Sequence, residues 1–193
     1  GAPDPQNRTI TYSTGPLGAV DSIWSASLDN APGQYQLDGN NNLTGFDNLY
    51  PARTAPGAAS FEIGTASNTD TGFDSMTVLR GGRWAGGVAS ITLSDGSDAS
   101  QDLGAQSLHW VSSPEWAAPP VMPVMGTADY TLIGATAPTD NRGNAGVLGA
   151  ANFSADFTNM SVTSFLEILI NGSTWQATGS GGIGGAADPV VPA

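Results

Sequence analysis

Hydrophobic residues in this chain alternate with polar ones over short runs, and Gly, Asn, Asp and Pro separate the runs. A period of two places alternate side chains on opposite faces of a strand, whereas the 3.6-residue period of a helix is nearly absent. The chain is therefore predicted to be all-β. In the first 113 residues the pattern predicts strands at 8–13, 34–37, 60–65, 75–80, 88–94 and 107–112.

The clearest alternation lies in the last third of the chain. It predicts strands at 127–136, 147–158, 161–170 and 173–179. The dipeptide Asn171-Gly172 separates the last two, and Asn-Gly is a strong hairpin signal because both turn positions need positive φ. The pattern thus predicts an antiparallel four-strand meander. Its apolar face is expected to carry Phe153, Phe157, Leu166, Ile168 and Ile170.

Prolines mark a boundary between two β-rich regions. The segment PEWAAPPVMPVMG contains four prolines, which disfavour a regular strand or helix and favour an extended linker. The predicted organisation is an N-terminal β-rich region at 1–113, a linker at 114–126, the meander at 127–180 and a Gly/Pro-rich tail at 181–193. The predicted fold class is an antiparallel sandwich or barrel-like fold that ends in the meander.

Composition narrows the function classes. The chain has 193 residues, of which 17 are acidic and five are arginines, with no lysine, so the net charge is −12. This balance excludes a nucleic-acid binder and a protein held to anionic lipids, because both need clustered positive charge. The 26 glycines, 13 prolines and 11% of charged residues are typical of a turn-rich extracellular β-protein. The absence of cysteine excludes disulfides and thiolate metal sites.

Residues typical of catalysis are sparse. His109 is the only histidine, and no Gly-x-Ser-x-Gly motif accompanies it, so a structural strand histidine is favoured. The only glutamates are Glu62, Glu115 and Glu167, and nothing indicates a pair flanking a cleft as in glycosidases. Glu167 is expected to face solvent. The protein is therefore predicted not to be an enzyme.

One acidic stretch is a candidate metal site. Asp38, Asn40 and Asn42 place side-chain oxygens at alternate positions, as calcium loops do. Leu43 and Leu49 stand where an EF-hand loop has its glycine and its bidentate glutamate. Calcium is thus one hypothesis, and a polar β-turn is the favoured alternative. No other cofactor is expected.

The segment RGGRW is a candidate binding site. Arg80 and Arg83 precede Trp84 closely in the sequence and could form a cation–π site for a sugar or a carboxylate with it. A turn with a buried tryptophan is the favoured alternative.

The second half of the chain resembles a known family. Its motifs are the GTADY strand opening, the turn ATAPTDNRGNAG, the strand end ADFTN and the hairpin ING-TW; LRGGRWAGGVASITL and SLHWVSSP precede them. They resemble the first half of the lipoprotein-type β-barrel domain of transferrin-binding protein B and of FecR-domain-associated bacterial surface proteins. The resemblance implies a secreted or cell-surface module of a Gram-negative bacterium. The four further strands of that barrel do not follow here, and no iron-binding or transferrin-binding residue can be matched.

The predicted meander leaves two sheet edges open, and an extended, small-residue tail is suited to lie along a neighbour's edge. Either the tail at 181–193 or the N-terminal segment at 1–13 could be the donated strand, and head-to-tail donation gives a filament. The sequence thus predicts a non-enzymatic extracellular structural protein that assembles with copies of itself into a surface filament or layer. The alternative is a monomeric binding module for an iron carrier, a host protein or a glycan, with a concave site formed by Trp84, Trp110 and Trp116.

Overall fold

The computed structural model of the protein describes residues 3–14, 23–28, 35–47, 58–116, 121–140 and 142–183. Strands are the only regular elements in these ranges, and none of the described residues forms a helix that could span a membrane. The strands are β1 (Pro3–Thr14), β2 (Ile23–Leu28), β3 (Tyr35–Leu37), β4 (Leu43–Asp47), β5 (Ala58–Glu62), β6 (Ser67–Phe73), β7 (Arg80–Ala85), β8 (Val88–Leu93), β9 (Asp98–Asp102), β10 (Ser107–Trp116), β11 (Thr127–Tyr130), β12 (Val147–Asp156), β13 (Ser161–Ile170) and β14 (Ser173–Gly182).

The strands form three antiparallel sheets. Sheet 1 has the order β2-β1-β10-β7-β6, sheet 2 the order β3-β4-β5-β8-β9, and sheet 3 the order β11-β12-β13-β14. Over the described residues no sheet closes on itself. The predicted all-β class and the four-strand meander are confirmed.

The core lies between sheets 1 and 2. Strict alternation along β7 and β10 directs one set of side chains inward, where Trp84 pairs with Leu108 in register. Phe46 and Phe61 stack in the core with ring centroids 5.0 Å apart, and Trp84 packs 5.9 Å from Phe46. The buried cluster consists of Leu43, Phe46, Phe61, Trp84, Ala89, Ile91, Leu103, Leu108 and Trp110.

The strand predicted at 75–80 is wrong. Residues 75–77 form a turn, and β7 begins only at Arg80. The Asp74 carboxylate accepts hydrogen bonds from the Thr77 backbone N–H at 2.7 Å and from its hydroxyl at 2.5 Å, and Val78 has φ of 59°. A local side-chain bond of this kind competes with the strand ladder, which explains why the alternation was misleading.

The linker predicted at 114–126 is wrong in its first residues. Strand β10 continues to Trp116, and its last residues pair with β1. Pro114 stands opposite Arg8, where the register of β1 shifts between Asp4 and Arg8. A proline is tolerated at such an irregularity because it removes only one donor from an already interrupted ladder. Residues 117–120 lie outside the described residues.

The N-terminal segment is taken up by its own sheet. Strand β1 lies between β2 and β10 in sheet 1; it pairs with β10 over most of its length and with β2 from Arg8 to Ser13. Donation of this segment to a neighbouring copy stays a prediction. Of the tail expected at 181–193, residues 184–193 lie outside the described residues.

Sheet 3 follows the predicted hairpin closely. Asn171 and Gly172 both have positive φ, 52° and 77°, as the turn requires. The strand predicted at 127–136 ends at Tyr130, however, because the following segment leaves the sheet. A register shift between Leu148 and Ala150 also reverses the alternation of β12. Val147 therefore lies on the face opposite Phe153, so the alternation that predicted the strand at 147–158 is interrupted at this end.

Candidate functional site

Asp38 closes a tight turn. Its Oδ1 accepts hydrogen bonds of 2.8 Å from the backbone N–H groups of Asn40 and Asn42, and its Oδ2 accepts one of 3.0 Å from the Asn42 side-chain amide. The backbone and side-chain bonds from Asn42 lower the pKa of Asp38 below its usual value. The geometry supports the polar-turn alternative. Calcium at Asp38, Asn40 and Asn42 stays a prediction, and an ion there would have to displace these bonds.

The same hydrogen-bond pattern recurs about one hundred residues later, between Asp140 and Asn144. Asp140 Oδ1 accepts from the Arg142 and Asn144 backbone N–H groups at 2.9 Å, and Oδ2 accepts from the Asn144 amide at 2.8 Å. The Asn144 side chain is the main cause that lowers the pKa of Asp140. The shared sequence signal is an Asp followed four residues later by an Asn.

The structure separates Trp84 from the two arginines. Trp84 is fully buried in the core, and Arg83 lies on the opposite, outer face of sheet 1 because neighbouring residues of a strand alternate. Arg80 stacks on Phe73, with its Cζ 4.2 Å from the ring centroid. The three residues therefore do not form one cation–π site. Trp110 is also a core residue, so it and Trp84 cannot line an open concave site.

Arg83 instead joins a polar cluster on the outer face of sheet 1. Its Nε donates a hydrogen bond of 2.9 Å to Asp70 Oδ2, and its Nη1 donates one of 3.0 Å to Ser107 Oγ. Asp70 has φ of 52° in an irregular part of β6, and it also accepts from the Ala137 N–H at 3.0 Å. Partial burial would raise the pKa of Asp70, but the bonds from Ala137 and Arg83 outweigh it and lower that pKa.

His109 extends this cluster. Its Nδ1 lies 2.7 Å from Thr136 Oγ1, and its Nε2 lies 3.3 Å from Thr139 Oγ1. Burial lowers the pKa of His109, the Arg83 charge lowers it further, and the Asp70 charge opposes the shift. Together with the Asp70–Ala137 bond, these contacts hold the segment after β11 on sheet 1, and they explain why the predicted strand ends early.

Strand β14 is an exposed edge. All ten of its residues are exposed, and it pairs with β13 without a register shift. Its sequence STWQATGSGG contains no charged residue and no proline. The other edge of sheet 3 is formed by β11, which has only four residues. The sequence predicted a strand at 173–179, which is shorter than the observed Ser173–Gly182. It did not predict that the whole strand is exposed.

One face of sheet 3 is apolar and exposed. The register places Tyr130 beside Phe153, with ring centroids 5.2 Å apart, and Ile168 beside Trp175 on the edge strand. Tyr130 is 52% exposed, Phe153 42%, Leu166 36% and Trp175 66%. The register thus confirms that Phe153, Leu166, Ile168 and Ile170 share a face. That face continues without interruption to the β14 edge.

The chain matches no protein-family model, and the searches of curated proteins and of solved structures return no match. The resemblance to the β-barrel domain of transferrin-binding protein B therefore stays a prediction. Two features of sheet 3 then remain as the basis for a functional proposal. They are the uncharged edge formed by β14 and the exposed apolar face that ends at this edge.

Proposed function

We propose that the protein is a non-enzymatic structural protein, secreted or at the cell surface, that self-associates through strand β14. The observation that carries the proposal is the exposed ten-residue edge without charge or proline. An edge strand presents unpaired N–H and C=O groups that template pairing with another chain.

In the described structure the edges formed by β3, β6, β9 and β11 are blunted. Strand β2 also lacks charge and proline, but it has only six residues, whereas β14 has ten. Strand β9 of sheet 2 carries Asp98 and Asp102, and β3 has only three residues. Strand β6 of sheet 1 is interrupted between Thr69 and Gly72. Charges, short strands and irregularities are the usual devices against edge pairing. Their absence from β14 supports an edge that is meant to pair.

A second copy of the chain suits this edge. It supplies a strand of equal length, and pairing through β14 would join the two apolar faces at Trp175 into one larger surface. The net charge of −12 opposes association in general, but β14 contributes none of that charge. The nearest carboxylate on β13, that of Glu167, accepts a hydrogen bond of 2.7 Å from Gln176 and is thereby engaged within the subunit.

Sedimentation velocity over a concentration series, with electron microscopy of the same samples, tests the proposal. The substitution Ala177→Lys places a charge on the β14 edge beside Trp175, and we expect it to raise the concentration needed for association at least about tenfold. Ser100→Lys is the matched control, because it adds the same charge to the exposed β9 edge. It should associate like the wild type.

A second variant separates the edge from the tail. A chain ending after Ile183 keeps β14 intact and should still associate if β14 is the contact. Loss of association in this variant alone would place the contact in residues 184–193 instead. A wild type that stays monomeric across the series, or an Ala177→Lys variant that assembles as well as Ser100→Lys, would contradict self-association through β14.

A further inference from the structure

The face of sheet 3 opposite the apolar one contains a hollow of about 380 Å³. Strand alternation after the irregularity in β12 directs six of the eight lining residues to this face, away from Phe153 and Trp175; the other two, Ser164 and Gly179, are in register with Phe153. The lining comes from three strands, β12, β13 and β14. Its main residues are Asn152, Ser154, Thr163, Phe165, Thr178 and Ser180.

The lining combines one aromatic ring with neutral polar groups. Phe165 stands in register between Asn152 on one side and Thr178 on the other, and its side chain is only half-buried. The neighbouring hydroxyls each donate and accept hydrogen bonds, and the Asn152 amide offers two donors and an acceptor. A half-buried ring encircled by such groups presents an apolar surface and hydrogen-bonding partners to the same ligand.

Two carboxylates, those of Asp129 and Glu167, lie on the same face of sheet 3 and border the hollow. Asp129 Oδ1 accepts a hydrogen bond of 2.5 Å from Ser154, and Glu167 Oε2 accepts one of 2.7 Å from Gln176. None of the six main lining residues is charged, so a phosphate or sulfate group would find no cationic partner among them. The face is therefore suited to a ligand that is neutral, rich in hydroxyl groups and apolar on one side.

We propose that this hollow binds a neutral sugar residue of a polysaccharide. Pyranose rings expose C–H groups on one face, which can stack on Phe165, and hydroxyl groups around the rim, which the Asn, Ser and Thr side chains can bind. The lining residues Asn152, Thr163, Thr178 and Ser180 are exposed. An open hollow of this kind admits an internal residue of a polymer, not only a chain end. The activity goes beyond self-association and does not depend on it.

Native gel electrophoresis in the presence of dissolved polysaccharide tests the proposal. The probes are dextran, hydroxyethyl cellulose and a galactomannan as neutral polymers, with polygalacturonate as the anionic comparison. Because the chain carries a net charge of −12, it migrates towards the anode, and retardation relative to a gel without polymer reports binding. We expect retardation by at least one neutral polymer and none by polygalacturonate.

The substitution Phe165→Leu keeps an apolar side chain but removes the ring. It should weaken the retardation at least about fivefold, because ring contacts contribute beyond their buried area. Phe73→Leu is the matched control, since Phe73 is an exposed aromatic residue outside sheet 3. Thr178→Val removes one hydroxyl at nearly constant volume, and a roughly threefold weakening is expected from the loss of one hydrogen bond. This variant keeps the test valid if Phe165→Leu does not fold.

The result is independent of the proposed self-association. Ala177→Lys should still be retarded by the neutral polymer, even though we expect it to lose association. Failure of all three neutral polymers, retardation by polygalacturonate alone, or equal binding by the Phe165→Leu and Phe73→Leu variants would overturn the sugar site. Loss of retardation in Ala177→Lys would also overturn it, because the polymer would then require the interface between copies.

Discussion

The indole nitrogen of Trp84 donates a hydrogen bond of 2.8 Å to the backbone carbonyl oxygen of Leu43. Trp84 belongs to sheet 1 and Leu43 to sheet 2, so this bond joins the two layers at the centre of the core. The same carbonyl accepts a second bond of 2.8 Å from the Asn68 side chain. A buried tryptophan needs a partner for its N–H, and here that partner fixes how the sheets face each other.

Replacing Trp84 by Phe should therefore destabilise the fold. The substitution removes the bond to Leu43 and leaves space in the core, and the expected loss in the free energy of unfolding is about 1–3 kcal/mol. Urea unfolding followed by circular dichroism measures it. Trp175→Phe is the matched control at an exposed position and should change the free energy by less than about 0.5 kcal/mol. Equal effects of the two substitutions would contradict this role of Trp84.

Gly82 makes room for a neighbouring ring. A Cβ atom at this position would lie 2.7 Å from Cζ2 of Trp110, whose indole is buried and donates to Asn68 at 3.2 Å. Gly82→Ala should cost about 1–3 kcal/mol of stability, because the ring has to move within a packed core. In Gly72→Ala nothing lies within 4 Å of the new Cβ, so this control should stay within about 0.5 kcal/mol of the wild type. A Gly82→Ala protein as stable as the control would contradict the close approach.

His109 should make stability depend on pH in the mildly acidic range. Burial and the Arg83 charge hold its pKa in the folded protein below the value of about 6.5 expected in the unfolded chain. The unfolded state then binds the proton more readily, so the free energy of unfolding should fall as the pH falls below about 6.5. In His109→Gln this part of the dependence should disappear. Urea unfolding at about pH 7.5 and at about pH 5 measures how much the free energy of unfolding changes between the two pH values. A change in His109→Gln as large as that in the wild type would count against the prediction.

The two Asp–Asn turns should make stability depend on pH in a more acidic range than His109 does. The folded-state pKa values of Asp38 and Asp140 are lowered, so their contribution to stability is present above the unfolded value near 3.9 and is lost as the pH falls through the folded value. The double substitution Asp38→Asn, Asp140→Asn should flatten the loss of stability below about pH 4. Asp98→Asn, at an exposed position on β9, is the control that removes a carboxylate without removing an Asp–Asn turn. Thermal melts over this range should show the flattening in the double variant only.

Much of sheet 3 could be predicted from the sequence, because its determinants are local. Asn171-Gly172 sets the hairpin turn, and the alternation over 161–170 gives the strand that the structure shows at Ser161–Ile170. The Asp–Asn turns are local as well, since a carboxylate and the N–H groups two and four residues later are neighbours along the chain. Such features depend on backbone preferences and short contacts, which a single sequence contains.

Contacts between distant segments decided the rest. The segment after Tyr130 alternates like a strand, yet it leaves sheet 3 because Asp70 and His109, more than 20 residues away along the chain, bind Ala137 and Thr136. Arg83 and Trp84 are adjacent in the sequence but belong to opposite sides of a sheet, one in a polar cluster and the other in the core. The sequence by itself determined the long strands and the hairpin turn of sheet 3 and the two Asp–Asn turns, because these follow from local preferences. Only the tertiary structure decided which faces are buried and which edge stays open, because burial depends on what packs from elsewhere in the chain.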